Sequence, residues 1–344
     1  MTMIETLVAA RLGEAAAARA IATLAIDPAI AAEDGASASR AAIAMALNIC
    51  LFDDLLGRVP SAAAYVADVR ERGQRVVFDH GALRTIRFGN GPTGALPPGQ
   101  DAFQRLLEPL GYRLADRYPL PRLKMTGHVY CHADFPETVP QFFVSELYVD
   151  RFDDTFAEAA HNVFDSSRDP IGADGEALLA ALARDGSAPP AIAAAGLGEL
   201  LAAFGRQHDT PALGDYDALR AQSAEAAWIA TEGNAFNHAT DRVPDVEALA
   251  GEQKALGRPI KDAVEVSASG RVRQTAFRAD MVERLFLLPN GGESVQRVPG
   301  SFYEFITRAI DPETERLDLR FDPANATGIF AMTRNKDDPS PPRR

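Results

Sequence analysis

Cysteine is scarce, with only Cys50 and Cys131 in 344 residues. Two thiols cannot build a disulfide framework, and without CxxC spacing they argue against a zinc–thiolate site. Positive charge is in deficit. Against 48 acidic residues stand 35 Lys and Arg, a net charge of −13. That sign repels nucleic acid and anionic membrane surfaces, so neither is expected as a partner. An anionic small molecule stays possible, because local arginines can outweigh the global charge. Long apolar runs are missing too, and none reaches the roughly 18 residues a membrane span requires. The opening "MTMIETLVAARLGEAAAARA" has acid early and no basic region ahead of a cleavage site, so it reads as a helix and not a signal peptide. A cytoplasmic protein is expected.

What is present fits a globular chain with a real core: 47% of residues are hydrophobic and 24% charged. Residues 1–74 carry apolar side chains at three- and four-residue intervals, as in "AAIAMALNICLFDDLLGRV", and predict helices. Residues 75–152 alternate and are rich in β-branched and aromatic types, which predicts strands in "RVVFDHGALRTIRF", "RLADRYPLPRLKMTGHVYCHAD" and "PQFFVSELYVDRF". Residues 153–226 turn helical, with no strand expected. Residues 227–330 return to strands, with "SASG" as a hairpin turn. The Pro-rich, charged tail 331–344 is expected to be disordered. The order α, β, α, β predicts an α+β protein, one integrated catalytic domain whose strands form a single curved sheet or partial barrel.

Three of the predicted strands each carry one metal-ligand type among apolar neighbours. His80 shares parity with Val76 and Phe78, His238 with Phe236 and Thr240, and Glu304 with Phe302 and Ile306. A buried, unpaired carboxylate is costly, so Glu304 needs a cation or strong donors. Two imidazoles and a carboxylate on one metal would satisfy all three, and that set is the facial triad of non-haem Fe(II) oxygenases. The residues lie 158 and 66 positions apart, so the site requires strands that meet in space. Blander roles stand beside this one. His80 could bond a backbone carbonyl, Glu304 could pair with Arg308, and His238 could cap a turn with Asp241. His128 and His132, near Asp134, are alternative ligands, whereas His161 and His208 read as surface residues. Arg84 follows His80 by four positions on the same face and suits a substrate carboxylate; pairing with Asp79 is its plainer role. Gln274 could reach the same cavity. Asn237, Asp241 and Arg242 are expected to brace His238, with Trp228 backing its strand.

The segments "FDHGALRT", "SELYVD", "EGNAFNHATDRV", "KDAVEVSASGRVRQ" and "GSFYEFITR" together resemble the 2-oxoadipate dioxygenase/decarboxylase family. "FYEFITR" is also similar to the metal-binding strand of 4-hydroxyphenylpyruvate dioxygenase and hydroxymandelate synthase, relatives of the vicinal-oxygen-chelate type. The resemblance implies that type of sheet around a metal, with His80, His238 and Glu304 as Fe(II) ligands. It implies that Arg84 holds the far carboxylate of 2-oxoadipate or a similar 2-oxo dicarboxylate. Dioxygen would be consumed, carbon dioxide released and 2-hydroxyglutarate formed, a step of lysine breakdown. Longer family members extend well beyond the position of Glu304, which 40 residues follow here, so the substrate's chain length is left open. A glyoxalase-like isomerase or lyase using Zn or Mn, a non-catalytic metal- or ligand-binding protein, and a purely structural role for these residues are the competing expectations.

Overall fold

A computed structural model describes residues 1–321 and 331–333 of the chain. The fold is mixed α+β. Its centre is a curled, half-barrel sheet of eight strands. In chain order these are β1 (Phe78–Arg87), β2 (Tyr112–Leu120), β3 (Met125–His132), β4 (Gln141–Tyr148), β5 (His238–Arg242), β6 (Glu265–Val266), β7 (Val272–Ala276) and β8 (Phe302–Arg308). Across the sheet they run β2-β3-β4-β1-β5-β8-β7-β6. β1 lies parallel to β4, and β5 parallel to β8, while the other pairs are antiparallel. The central strands β1, β4, β5 and β8 are buried almost throughout, as strands covered on both faces must be.

One face of the sheet rests on helices Arg40–Arg58 and Pro60–Glu71. The first is Ala-rich and buries every residue from Ala41 to Phe52, so it lies close against the sheet. Phe52 and Tyr65 from these helices meet Phe78, Tyr303 and Phe305 from the sheet in a continuous aromatic layer. Phe236 packs directly over β1 at Gly81, where a Cβ would lie 2.2 Å from its ring. Only glycine permits that approach.

The segment 153–226 is helical, with one departure from expectation. It contains a short strand, Ser187–Ala188, paired with Ala38–Ser39. Its helices Ala173–Asp185 and Pro190–Ala202 also bury Leu178, Leu182, Leu197 and Leu200 in the same core as Leu7, Ile43 and Leu47. They form part of the scaffold. Helical structure continues past residue 226 as Ala224–Glu232, so Trp228 stands on a helix and not behind a strand. A further helix, Val246–Ala255, lies where strands were expected; Asp245 caps it by accepting from the Ala248 N–H at 2.9 Å. The segments "VERLFLLPNGG" and the strand that follows it pair into a separate hairpin outside the main sheet. Of the tail expected to be disordered, 331–333 form one turn of 3-10 helix, and the rest lies outside the described residues.

Candidate metal centre

The pairing of β1, β5 and β8 brings the three candidate ligands onto one face. Thr240 pairs with His80 on one side and Glu304 on the other, and His238 pairs with Ala82 and Phe302. The His80 Nε2 lies 3.3 Å from Glu304 Oε2, and the His238 Nε2 lies 3.2 Å from the same oxygen. All three ligand atoms fall within 4.8 Å of one another, and all three residues are buried. Among the described residues no other group of three His, Cys, Asp or Glu side chains is gathered this way. Ligands about 2.1 Å from one metal and roughly at right angles stand about 3 Å apart, close to the two separations from Glu304 Oε2 to the imidazole nitrogens.

The faces are not those that strict alternation predicts. The register between β1 and β5 shifts between Phe78, which pairs with Asp241, and His80, which pairs with Thr240. Phe78 and Phe236 pack against each other and into the aromatic layer beneath the helices, while His80 and His238 face the opposite way. The irregularity leaves Asp79 beside His80, with its Oδ1 2.9 Å from Nδ1. An Nδ1–H donated to this carboxylate fixes the tautomer that presents Nε2 to a metal. Asp79 is itself held by Arg308, whose Nε and Nη2 donate to it at 2.9–3.1 Å. Arg308 therefore serves Asp79 and not Glu304. Its Nη1 also donates to the Asp318 and Arg320 carbonyls at 3.0 and 2.8 Å. The neighbouring Phe321 ring lies edge-on to His80 at 4.9 Å.

Electrostatics agree with a cation site. Burial opposes the His80 imidazolium, but hydrogen bonds to Asp79 and Glu304 outweigh it and raise its pKa. Burial lowers that of His238. Glu304, despite its burial, is held ionised by the two imidazoles. The His238 Nδ1 lies 2.8 Å from Asn237 Nδ2, and Asn237 Oδ1 is buried with no hydrogen-bond partner among the described residues. Turned over, that amide would accept from an Nδ1–H and leave Nε2 bare. The donor set and this orphaned oxygen both fit a bound metal.

Arg84 lies fully buried on the same face of β1, about 13 Å along the strand from His80. Its Nη2 donates to Thr333 Oγ1 at 2.9 Å, and its guanidinium sits 5.0 Å from the Trp228 ring centre. Its charge is felt at His238, and Asp79 is not its partner. Trp228 thus backs Arg84, with its Nε1 donating to the Gly300 carbonyl at 3.0 Å. Gln274 is buried on β7 opposite Ile306, two pairs along from Glu304. Asp241 and Arg242 do not brace His238. Asp241 accepts from the Tyr65 hydroxyl at 2.7 Å and the Val77 N–H at 3.1 Å, and Arg242 donates to the Glu137 carbonyl at 3.1 Å. His128 and His132 stand outside the cluster. His128 approaches Glu146 at 3.4 Å, and His132 is tied to the Leu110 carbonyl at 3.1 Å. His208, read as a surface residue, is buried and donates to the Ala230 carbonyl at 2.9 Å; burial lowers its pKa to about 4. His161 is exposed and stacks on Phe88. Sequence reasoning missed Asp79, Thr240 and Arg308 as parts of the centre. Adjacency to a candidate ligand was the available signal for Asp79, and shared parity with His238 was the signal for Thr240.

A family model described as 2-oxoadipate dioxygenase/decarboxylase matches residues 55–317, most of the chain. The chain belongs to this family. Among curated relatives of the 2-oxoadipate dioxygenase/decarboxylase family, the chloroplastic enzyme of that name from Arabidopsis thaliana is 23% identical over 308 residues, spanning 81% of this chain and 74% of its own. A solved structure described as a glyoxalase superfamily protein, from Ralstonia eutropha JMP134, is 52% identical. It covers 93% of this chain and 98% of its own with a TM-score of 0.88. The hydroxyglutarate synthase from Oryza sativa, solved in complex with 2-oxoadipate, shares the fold at a TM-score of 0.63. It is 22% identical and covers 86% of this chain and 93% of its own.

Proposed function

We propose that this family member is an Fe(II)-dependent, decarboxylating dioxygenase that converts 2-oxoadipate to 2-hydroxyglutarate in lysine breakdown, in the cytoplasm. The observation that carries the reading is the buried His80–His238–Glu304 cluster facing the same way as Arg84 on the same strand. His80, His238 and Glu304 would hold the metal. Bound there, Fe(II) would supply a centre able to bind a 2-oxo acid and dioxygen together. A dicarboxylate needs a cation at each end, and Arg84 supplies the second, with Trp228 and Thr333 setting its position. Phe302, whose ring lies 4.7 Å from that of His238, and Phe321 beside His80 keep water from the ligand edges. Gln274, buried on β7, would be a further polar group for the substrate.

The test is anaerobic loading with Fe(II), followed by a panel of 2-oxo acids with oxygen uptake and product mass recorded. The expected result is one dioxygen consumed and one carbon dioxide released for each 2-hydroxyglutarate formed from 2-oxoadipate. No oxygen uptake with any 2-oxo diacid would defeat the reading. The 52% identical relative described as a glyoxalase superfamily protein favours one alternative, an isomerase or lyase using Zn or Mn on the same three ligands. That enzyme would turn over without consuming oxygen.

A further inference from the structure

Thr240 is fully buried at the centre of the cluster, paired across the sheet with both His80 and Glu304. Its hydroxyl oxygen lies 2.6 Å from Glu304 Oε2 and 3.0 Å from His80 Nε2. A hydroxyl has one proton to give. The ionised carboxylate is the stronger acceptor and the nearer one, so the proton goes to Oε2. That oxygen is also the atom facing both imidazole Nε2 atoms.

We infer that Thr240 is a positioning residue that pins Glu304 Oε2 as the single ligating oxygen and so keeps the carboxylate from binding a metal through both oxygens. The inference rests on the proposed reading of the centre as a metal site. Its consequence follows from counting positions. An octahedral ion held by three protein atoms has three places left, enough for a two-point oxo acid and dioxygen. If Glu304 bound through both oxygens, two places would remain. The oxo acid would fill them and exclude dioxygen. One methyl-sized choice at position 240 therefore decides whether dioxygen has a place.

The test uses Mn(II) alone, without any oxo acid, so failure of the substrate reading leaves it intact. Thr240→Val removes the hydroxyl at nearly constant volume, and Thr240→Ser restores it. In Mn(II)-loaded protein, water-proton relaxation counts the waters bound to the ion. The Val variant is expected to lose about one of about three, lowering relaxivity by about a third. The Ser variant is expected to return to the wild-type value. Where the Val variant does not fold, Thr240→Ala is measured in its place. Unchanged relaxivity in the hydroxyl-free variant, or a loss that Ser does not restore, would overturn the inference, even where thermal stability falls.

Discussion

At the scale of single residues, the centre depends on which polar groups are buried with partners. Asp79 is buried between His80 and Arg308 and is held well below the ordinary carboxylate range, chiefly by the Arg308 charge working against burial. Replacing it with Asn leaves Arg308 buried without its counter-charge, which typically costs about 3–5 kcal/mol. It also removes the acceptor for His80 Nδ1. Asp79→Asn is therefore expected to lose stability on that scale in urea unfolding and to bind Mn(II) about 10–100-fold more weakly by titration. An Asp79→Asn, Arg308→Met double variant should recover much of the stability but not the metal affinity. Asp241 poses a different question. Burial pushes its carboxyl up to about 7, against the hydrogen bonds from Tyr65 and Val77. A folded pKa above the unfolded value of about 3.9 means that the native state holds the proton longer, so stability falls as pH rises between about 4 and 7. Asn has no proton to lose. Urea unfolding should show Asp241→Asn gaining on the wild type by about 2–3 kcal/mol between pH 5 and pH 8. A constant difference across that range would show Asp241 ionised throughout.

At the scale of elements, β1 does the most to shape the site, and its irregular register is what alternation could not foretell. Parity along "VVFDH" places Phe78 and His80 together, yet they face opposite ways because Asp79 intrudes between them. Such irregularities re-aim side chains beside functional sites, and they arise from pairing with a distant strand, here one more than 150 residues away. The Val246–Ala255 helix carried a legible cap in Asp245, but ten residues form a weak helix alone, and strand segments on both sides obscured it. The strands holding His238 and Glu304 were legible, because β-branched and aromatic residues recur there with ligand types between them. β1 also depends on its close approach to Phe236. Gly81→Ala puts a methyl group into that ring and is expected to cost about 1–3 kcal/mol. Phe236→Leu in the same background should return part of this loss, measured as the unfolding midpoint of each variant.

At the scale of the whole molecule, the half-barrel closes three distant stretches around a buried carboxylate, and a bound cation should tie them together. A ligand that binds only the native state stabilises it by about 2.7 kcal/mol at a hundredfold excess over its Kd. Added Mn(II), or Fe(II) under anaerobic conditions, should raise Tm, and a chelator should reverse the rise. In His238→Ala the rise should largely vanish, whereas His128→Ala, outside the cluster, should keep it. Composition and periodicity were enough to indicate an α+β chain with helical segments and strands bearing the three candidate ligands, because these are local properties of neighbouring side chains. Only the tertiary structure decided that the ligand atoms converge on Glu304 Oε2 and that Arg308 serves Asp79. It also decided that Trp228 lies under Arg84 from a helix. Those facts depend on the register between strands remote in sequence, which no local pattern encodes.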